Sequence, residues 1–183
     1  MRFSETRIPD VYVVHLEAHR DERGFFARTF CAEEFRRQGI IFDAVQHNTS
    51  FNHVAGTLRG MHYQEEPFGE QKLVRCTRGR IFDVAIDLRP NSRTFRQWTG
   101  VELSTDTLTM LYIPRGCAHG FLTLTDESEV SYVMGAAFDQ QSARGVRWDD
   151  AAFSIEWPST PKVISERDAS YPDFSCNVAI QSR

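Results

Sequence analysis

Two histidines in this sequence stand where chemistry can be done. His62 sits in "TLRGMHYQ", Thr57 to Gln64, and His119 in "PRGCAHG", at the end of a P-x-G-x-x-H turn. A metal site on a β-barrel takes two histidines at alternate positions of one strand, a carboxylate a few residues on, and a third histidine from a later hairpin. Here the alternate position holds Gln64, a poor ligand for a transition metal, and neither a third histidine nor a suitably spaced acid completes the set. No metal is expected. The same pattern suits proton transfer: if His62 faces a barrel interior, Gln64 faces it too, and Lys72, Asp83 and Tyr132 lie on β-patterned segments that can line the same cavity. An imidazole base, an ammonium beside an oxyanion and a phenolic acid together suit proton abstraction next to a ketone, and need no cofactor. Periodicity leaves ordinary roles open beside these: a packed His62, a solvated Lys72, an amphipathic core Tyr132 and a helix-capping Asp168 in "SERD".

Such groups need strands to hold them, and period-two patterning dominates the middle of the chain. "RIFDVAIDL" puts Phe82, Val84, Ile86 and Leu88 on one face and Ile81, Asp83, Ala85 and Asp87 on the other, the pattern of a half-buried strand with two carboxylates sharing a face. Turn signals around Gly79, Asn91, Gly116 and Asp126 separate the β-rich runs "QKLVRCT", "WTGVEL", "LTMLYI", "GFLTL" and "EVSYVM". Many strands and few helices imply an all-β sandwich or barrel. The clearest helix is "AEEFRRQG", opening after Cys31 and ending at Gly39; a second, short one is expected after Ser165, where "SERD" resembles a capping box.

With 183 residues, 41% hydrophobic and 25% charged, the chain is expected to form one domain over residues 1–183 around a sizeable core. A formal net charge of −4 argues against a nucleic-acid partner, while leaving room for a small anionic ligand. The N-terminal "MRFSETRIPDVYVV" does not read as a signal peptide, and no window approaches a membrane-spanning length of apolar residues, so a cytoplasmic location is expected. Cys31, Cys76, Cys117 and Cys176 fall in no C-x-x-C spacing and are read as buried thiols.

Taken in order and spacing, "DERGFF", "TLRGMHYQ", "QKLVRCTRGRIFDVAIDLRPNS", "YIPRGCAHGFLTL", "RGVRWDD" and "ISERD" resemble the dTDP-4-dehydrorhamnose 3,5-epimerase family, over about Phe3 to Phe174. The resemblance implies a metal-independent, cofactor-free cupin-type jelly roll with a few short helices. It also implies a homodimer with a nucleotide-sugar site in each barrel, and epimerisation of a nucleotide-linked 4-keto-6-deoxyhexose at C3, C5 or both. On the resemblance, His62 matches the general base and Asp168 the carboxylate that orients it and favours its protonated form. Lys72 matches the lysine at the enolate oxygen, with Asp83 as nearby support, and Tyr132 the phenol that returns a proton from the opposite face. Arg23, Phe26, Gln46, Asn48, Arg59 and His119 match nucleotide-sugar-binding positions, and Phe138 keeps an aromatic face able to stack on a base. Arg28 and Ala143 stand where many family members carry glutamate, and Phe138 where tyrosine is common. Other readings are a related epimerase on CDP or GDP, a non-catalytic nucleotide-sugar-binding cupin, and a metal-dependent cupin enzyme.

Overall fold

A computed structural model of the chain describes residues 1–175; Cys176 lies outside them. The expected alternation builds two sheets that face each other. The first runs β1 (Arg2–Glu5), β2 (Tyr12–His15), β10 (Thr109–Ile113), β7 (Lys72–Arg78), β12 (Ser128–Met134) and β5 (Gln46–Asn52). The second runs β13 (Ala143–Gly145), β6 (Thr57–Gln64), β11 (Cys117–Thr123), β8 (Arg80–Asp87) and β9 (Trp98–Ser104), with β14 (Val163–Ile164) joining β6 in parallel. A separate hairpin pairs β3 (Ala18–Asp21) with β4 (Gly24–Ala27). This is the all-β, jelly-roll architecture expected.

Side chains from both sheets meet in the core. Val74 and Cys76 of β7, Ile81 and Ala85 of β8, Leu111 and Ile113 of β10, Phe121 of β11 and Val130 of β12 form one buried cluster. Strand β8 departs from the half-buried expectation. Ile81 and Ala85 point into that cluster, but Val84 and Ile86 are equally buried on the opposite face, under Phe153, Ile155, Trp157 and Phe174 of the C-terminal segment. The second sheet is at this point a middle layer, covered by the first sheet on one face and by the C-terminal segment on the other. Asp83 and Asp87 do share a face, as expected, yet serve different partners. Asp87 accepts hydrogen bonds from Arg89, Ser92 and Thr94 and pins the loop after β8.

Helix α1 (Ala32–Arg37) ends as the sequence indicates. Gly39 takes the left-handed conformation at φ +76°, the Ile40 N–H donates to the Phe35 carbonyl and the Gly39 N–H to that of Arg36. This pair of bonds satisfies carbonyls the helix end would otherwise orphan. Phe35 is fully buried against Phe3, Phe42 and Tyr112, seating the helix on the outer face of the first sheet. The second helix, α2 (Glu166–Ala169), forms half a capping box. Ser165 Oγ accepts from the Asp168 N–H, but the Asp168 carboxylate turns away from the cap toward β6. Of the described cysteines, Cys76 and Cys117 are buried thiols as read, whereas Cys31 is only half-buried; all three are free.

Strand β6 carries one more residue than its partner between two fixed pairs, since His119 faces His62 while Phe121 faces Arg59. Such a bulge re-aims side chains, and here it brings Arg59 and His62 to a common cavity despite odd spacing. Gly60 makes it possible, at φ +134°, with Gly120 packed so closely that an added Cβ would lie 2.5 Å from its Cα. Gly60→Ala is therefore expected to cost about 2–4 kcal/mol of stability, from backbone strain plus overpacking, read as a lower urea midpoint with unchanged slope.

Candidate active site

Strands of both sheets and one short helix supply the site. His62 of β6, Lys72 of β7 and Tyr132 of β12 line two adjoining cavities of about 270 and 620 Å³. Gln46, Asn48, Gln64, Glu70, Phe138, Ala143, Arg144 and Tyr171 line the smaller, and Arg59, His119, Phe121 and Asp168 the larger, with Arg167 at both. The register explains the gathering: Tyr132 pairs with Val74 on one side and Asn48 on the other, while His119 sits directly across from His62.

Asp168 lies 2.8 Å from His62 Nε2 and also accepts the Gly60 N–H at 3.1 Å. Burial alone would push the Asp168 carboxyl up. The His62 hydrogen bond and charge, the Gly60 N–H and the Arg167 guanidinium outweigh it and hold the group at about 2. An ionised carboxylate only accepts, so Nε2 carries the hydrogen and Nδ1 is left with a free lone pair. For His62 itself burial is the largest influence and lowers its pKa; Asp168 pulls it back only in part, and Lys72 and Arg167 push it down further. Asp168 favours the protonated form of His62, as expected, but desolvation outweighs it, and the resting imidazole is a neutral base. Tyr132 is raised, by burial first, with Arg59 opposing and Glu70 adding to it, so its phenol retains a proton to give.

Asp83 forms no ion pair with Lys72. Its Oδ1 lies 2.7 Å from His119 Nε2, and its Oδ2 is buried with no hydrogen-bond partner among the described residues. The carboxylate that faces Lys72 is Glu70, at 2.8 Å, which sequence reasoning missed although it precedes Lys72 by two residues in "GEQK". Gln64 points inward as read, but its amide is fully engaged, donating to Phe68 and Ala137 carbonyls and accepting from the Asp139 N–H. Arg59 is steadied by Asn52 Oδ1 at 2.7 Å and the Phe51 carbonyl. Gln46 donates to Asn48 and accepts the Phe138 N–H, which fixes the exposed Phe138 ring at the cavity mouth. Two expected binding residues are not brought to the cavities of their own chain: Arg23 pairs with Asp21 and Phe26 is 72% exposed, both on the projecting hairpin. Arg28 is bound to Glu34 of α1 and lines neither cavity. Also missed were Arg167, 3.2 Å from His62 Nε2, and Tyr171, set edge-on to the His62 ring.

Residues 5–175 match the family described as dTDP-4-dehydrorhamnose 3,5-epimerase. The chain is 42% identical to the dTDP-4-dehydrorhamnose 3,5-epimerase of Sinorhizobium fredii, over 95% of this chain and 90% of that one. Its fold is similar to the crystal structure of dTDP-4-dehydrorhamnose 3,5-epimerase from Elizabethkingia anophelis, with a TM-score of 0.91, 36% identity and coverage of 95% and 96%. It is also similar to dTDP-6-deoxy-D-glucose-3,5-epimerase from Legionella pneumophila in complex with dTDP-4-keto-L-rhamnose, with a TM-score of 0.86, 35% identity and coverage of 91% and 89%.

The electrostatics of the dyad make a direct prediction. His62 titrates below the ordinary histidine value, so its neutral form persists on acidification and is lost only as pH falls through the lowered pKa. Asp168→Asn removes the two influences that raise it, and moves the titration lower still. Side-chain NMR of the histidines across pH 4–8 reads both shifts about the ordinary value near 6.5. A His62 titrating above that value would contradict the burial argument.

Proposed function

The chain belongs to the dTDP-4-dehydrorhamnose 3,5-epimerase family, and on that premise we propose that it inverts both C3 and C5 of dTDP-4-dehydro-6-deoxy-D-glucose through enolate intermediates. The enzyme is an isomerase acting on a nucleotide sugar. The observation that carries the detailed reading is the convergence of His62, Lys72 and Tyr132 on one cavity, with Asp168 holding the base in a single tautomer.

In this reading His62 Nδ1 takes the proton next to the C4 ketone. The C–H electron pair becomes a carbon–carbon double bond, and the carbonyl pair moves to O4. Lys72, held in a nearly dry site, offers an N–H to that oxygen, where a preorganised donor is worth far more than in water. Tyr132 gives its proton to the same carbon from the opposite face, and the ketone re-forms as the enolate electrons return. Inversion requires removal and delivery on opposite sides, which is why a base and a separate acid are needed.

Arg59 serves the pyrophosphate through a guanidinium that keeps donors beyond those used on Asn52 and Phe51. Gln46, Asn48 and His119 contribute polar contacts along the cavities, and Phe138 stacks on the base. Asp83 acts through His119. A homodimer completes the reading, because the hairpin with Arg23 and the exposed Phe25 and Phe26 is free to reach a neighbouring subunit's cavity. No helix among the described residues is long and apolar enough to cross a membrane, and the free described cysteines support a cytoplasmic location.

Proton NMR of the substrate incubated in D2O tests the assignment. His62→Asn is expected to keep the fold and reduce deuterium entry at both C3 and C5 by at least about a hundredfold. Tyr132→Phe should still wash deuterium in, with configuration retained. Normal exchange in His62→Asn, or normal yields of inverted product from Tyr132→Phe, would reassign the base or the acid.

The nucleotide end allows a second test. Ala143 and Phe138 offer no side-chain polar group to read a base edge, and stacking tolerates any base. Calorimetric titration is expected to show dTDP favoured over CDP and GDP by less than about a hundredfold, or about 2.7 kcal/mol. A larger ratio would mean that backbone groups or a second subunit read the thymine edge.

A further inference from the structure

Lys72 is held by two acceptors. Its ammonium donates to the His62 carbonyl oxygen at 3.1 Å and lies 2.8 Å from Glu70 Oε1, and both side chains are only 7% exposed. A lysine ammonium has three N–H donors, so among the described residues one remains uncommitted. Lys72 lines both cavities and Glu70 the smaller one, which places the pair at the wall where His62 and Tyr132 also open. Among the described residues Glu70 shares no hydrogen bond with the His62–Asp168 dyad, and no other carboxylate forms an ion pair with Lys72.

We propose that Glu70 is a positioning residue for the epimerisation, holding the Lys72 ammonium so that its one free N–H faces the place of the substrate's ketone oxygen. The inference rests on the reading of Lys72 as the cation at the enolate. Lysine is a point charge on a flexible four-carbon stem, and without a tether its nitrogen is free to leave that oxygen. With the His62 carbonyl and Glu70 both engaged, the donor is aimed before charge develops, and no reorganisation is required as the electrons move to oxygen. Glu70 itself forms no bond and carries no proton in this scheme. Its charge also offsets that of Lys72 in a site with little water, where an unpaired ammonium is costly.

The test measures deuterium exchange, kcat and KM for wild type and for Glu70→Ala, Glu70→Gln, Lys72→Met and the double variant Glu70→Ala/Lys72→Met, with dTDP titration and a thermal melt on each. Glu70→Ala is expected to lower kcat about tenfold or more, with KM and dTDP affinity within about threefold. Glu70→Gln keeps an acceptor oxygen at the same reach and should retain kcat within about threefold. In the Lys72→Met background, removing Glu70 should change kcat less than about twofold, because its effect passes through the lysine. If Glu70→Ala does not fold, Glu70→Asp takes its place: charge is kept, the acceptor is drawn back by one methylene, and the same kcat-specific loss is expected. Wild-type kcat in both Glu70→Ala and Glu70→Asp, a Glu70→Gln as impaired as Glu70→Ala, or a full further loss on the Lys72→Met background would each overturn the proposal. Absence of exchange in the wild-type enzyme would instead overturn the functional reading beneath it.

Discussion

The Asp168 carboxylate is the tie on which the site depends. It is buried and reaches two groups more than a hundred residues away in sequence, the Gly60 N–H and His62 Nε2. Helix α2 spans only Glu166–Ala169, too short to be stable alone. It is positioned by the Ser165 cap, by the parallel pairing of β14 with β6 and by these hydrogen bonds. One carboxylate thereby anchors the C-terminal segment to β6, steadies the backbone at the Gly60 bulge and selects the tautomer of His62. Local structure and chemistry share a single contact.

Desolvation then sets the character of the groups it surrounds. The same burial that lowers His62 raises Tyr132, leaving an imidazole free to accept and a phenol able to donate at neutral pH. Asp168 escapes that trend because it accepts several hydrogen bonds while buried. Two groups with opposite proton demands can therefore face one cavity without exchanging roles.

The cations are arranged by the same logic. Lys72, Arg59 and Arg167 each spend some donors on protein acceptors: Lys72 on Glu70 and the His62 carbonyl, Arg59 on Asn52, and Arg167 on Asp168. Each keeps others at the cavity wall. An anionic nucleotide sugar can thus be held by a chain whose formal net charge is −4, since the local field and donor geometry decide binding rather than the total.

Much of this was legible in the sequence. Alternation in "QKLVRCT", "RIFDVAIDL" and "EVSYVM" marks strands, "AEEFRRQG" marks a helix with its glycine stop, and the placing of His62, Lys72 and Tyr132 on strand-patterned segments made a shared cavity possible. These are local properties, set by the period of two or 3.6 residues and by turn chemistry. Partners across the fold were not legible. That Glu70 rather than Asp83 meets Lys72, that Asp83 meets His119, that both faces of β8 are buried and that Arg23 and Phe26 project away from their own cavities all depend on strand order and on where the C-terminal segment lies. The balance at His62 belongs to the same class: sequence indicates a carboxylate partner, which alone would raise the pKa, but the desolvation that reverses the sign exists only once the sheets have closed around the ring. Periodicity specifies which way a side chain points from its own strand. What it points at is decided by packing between segments far apart in the chain.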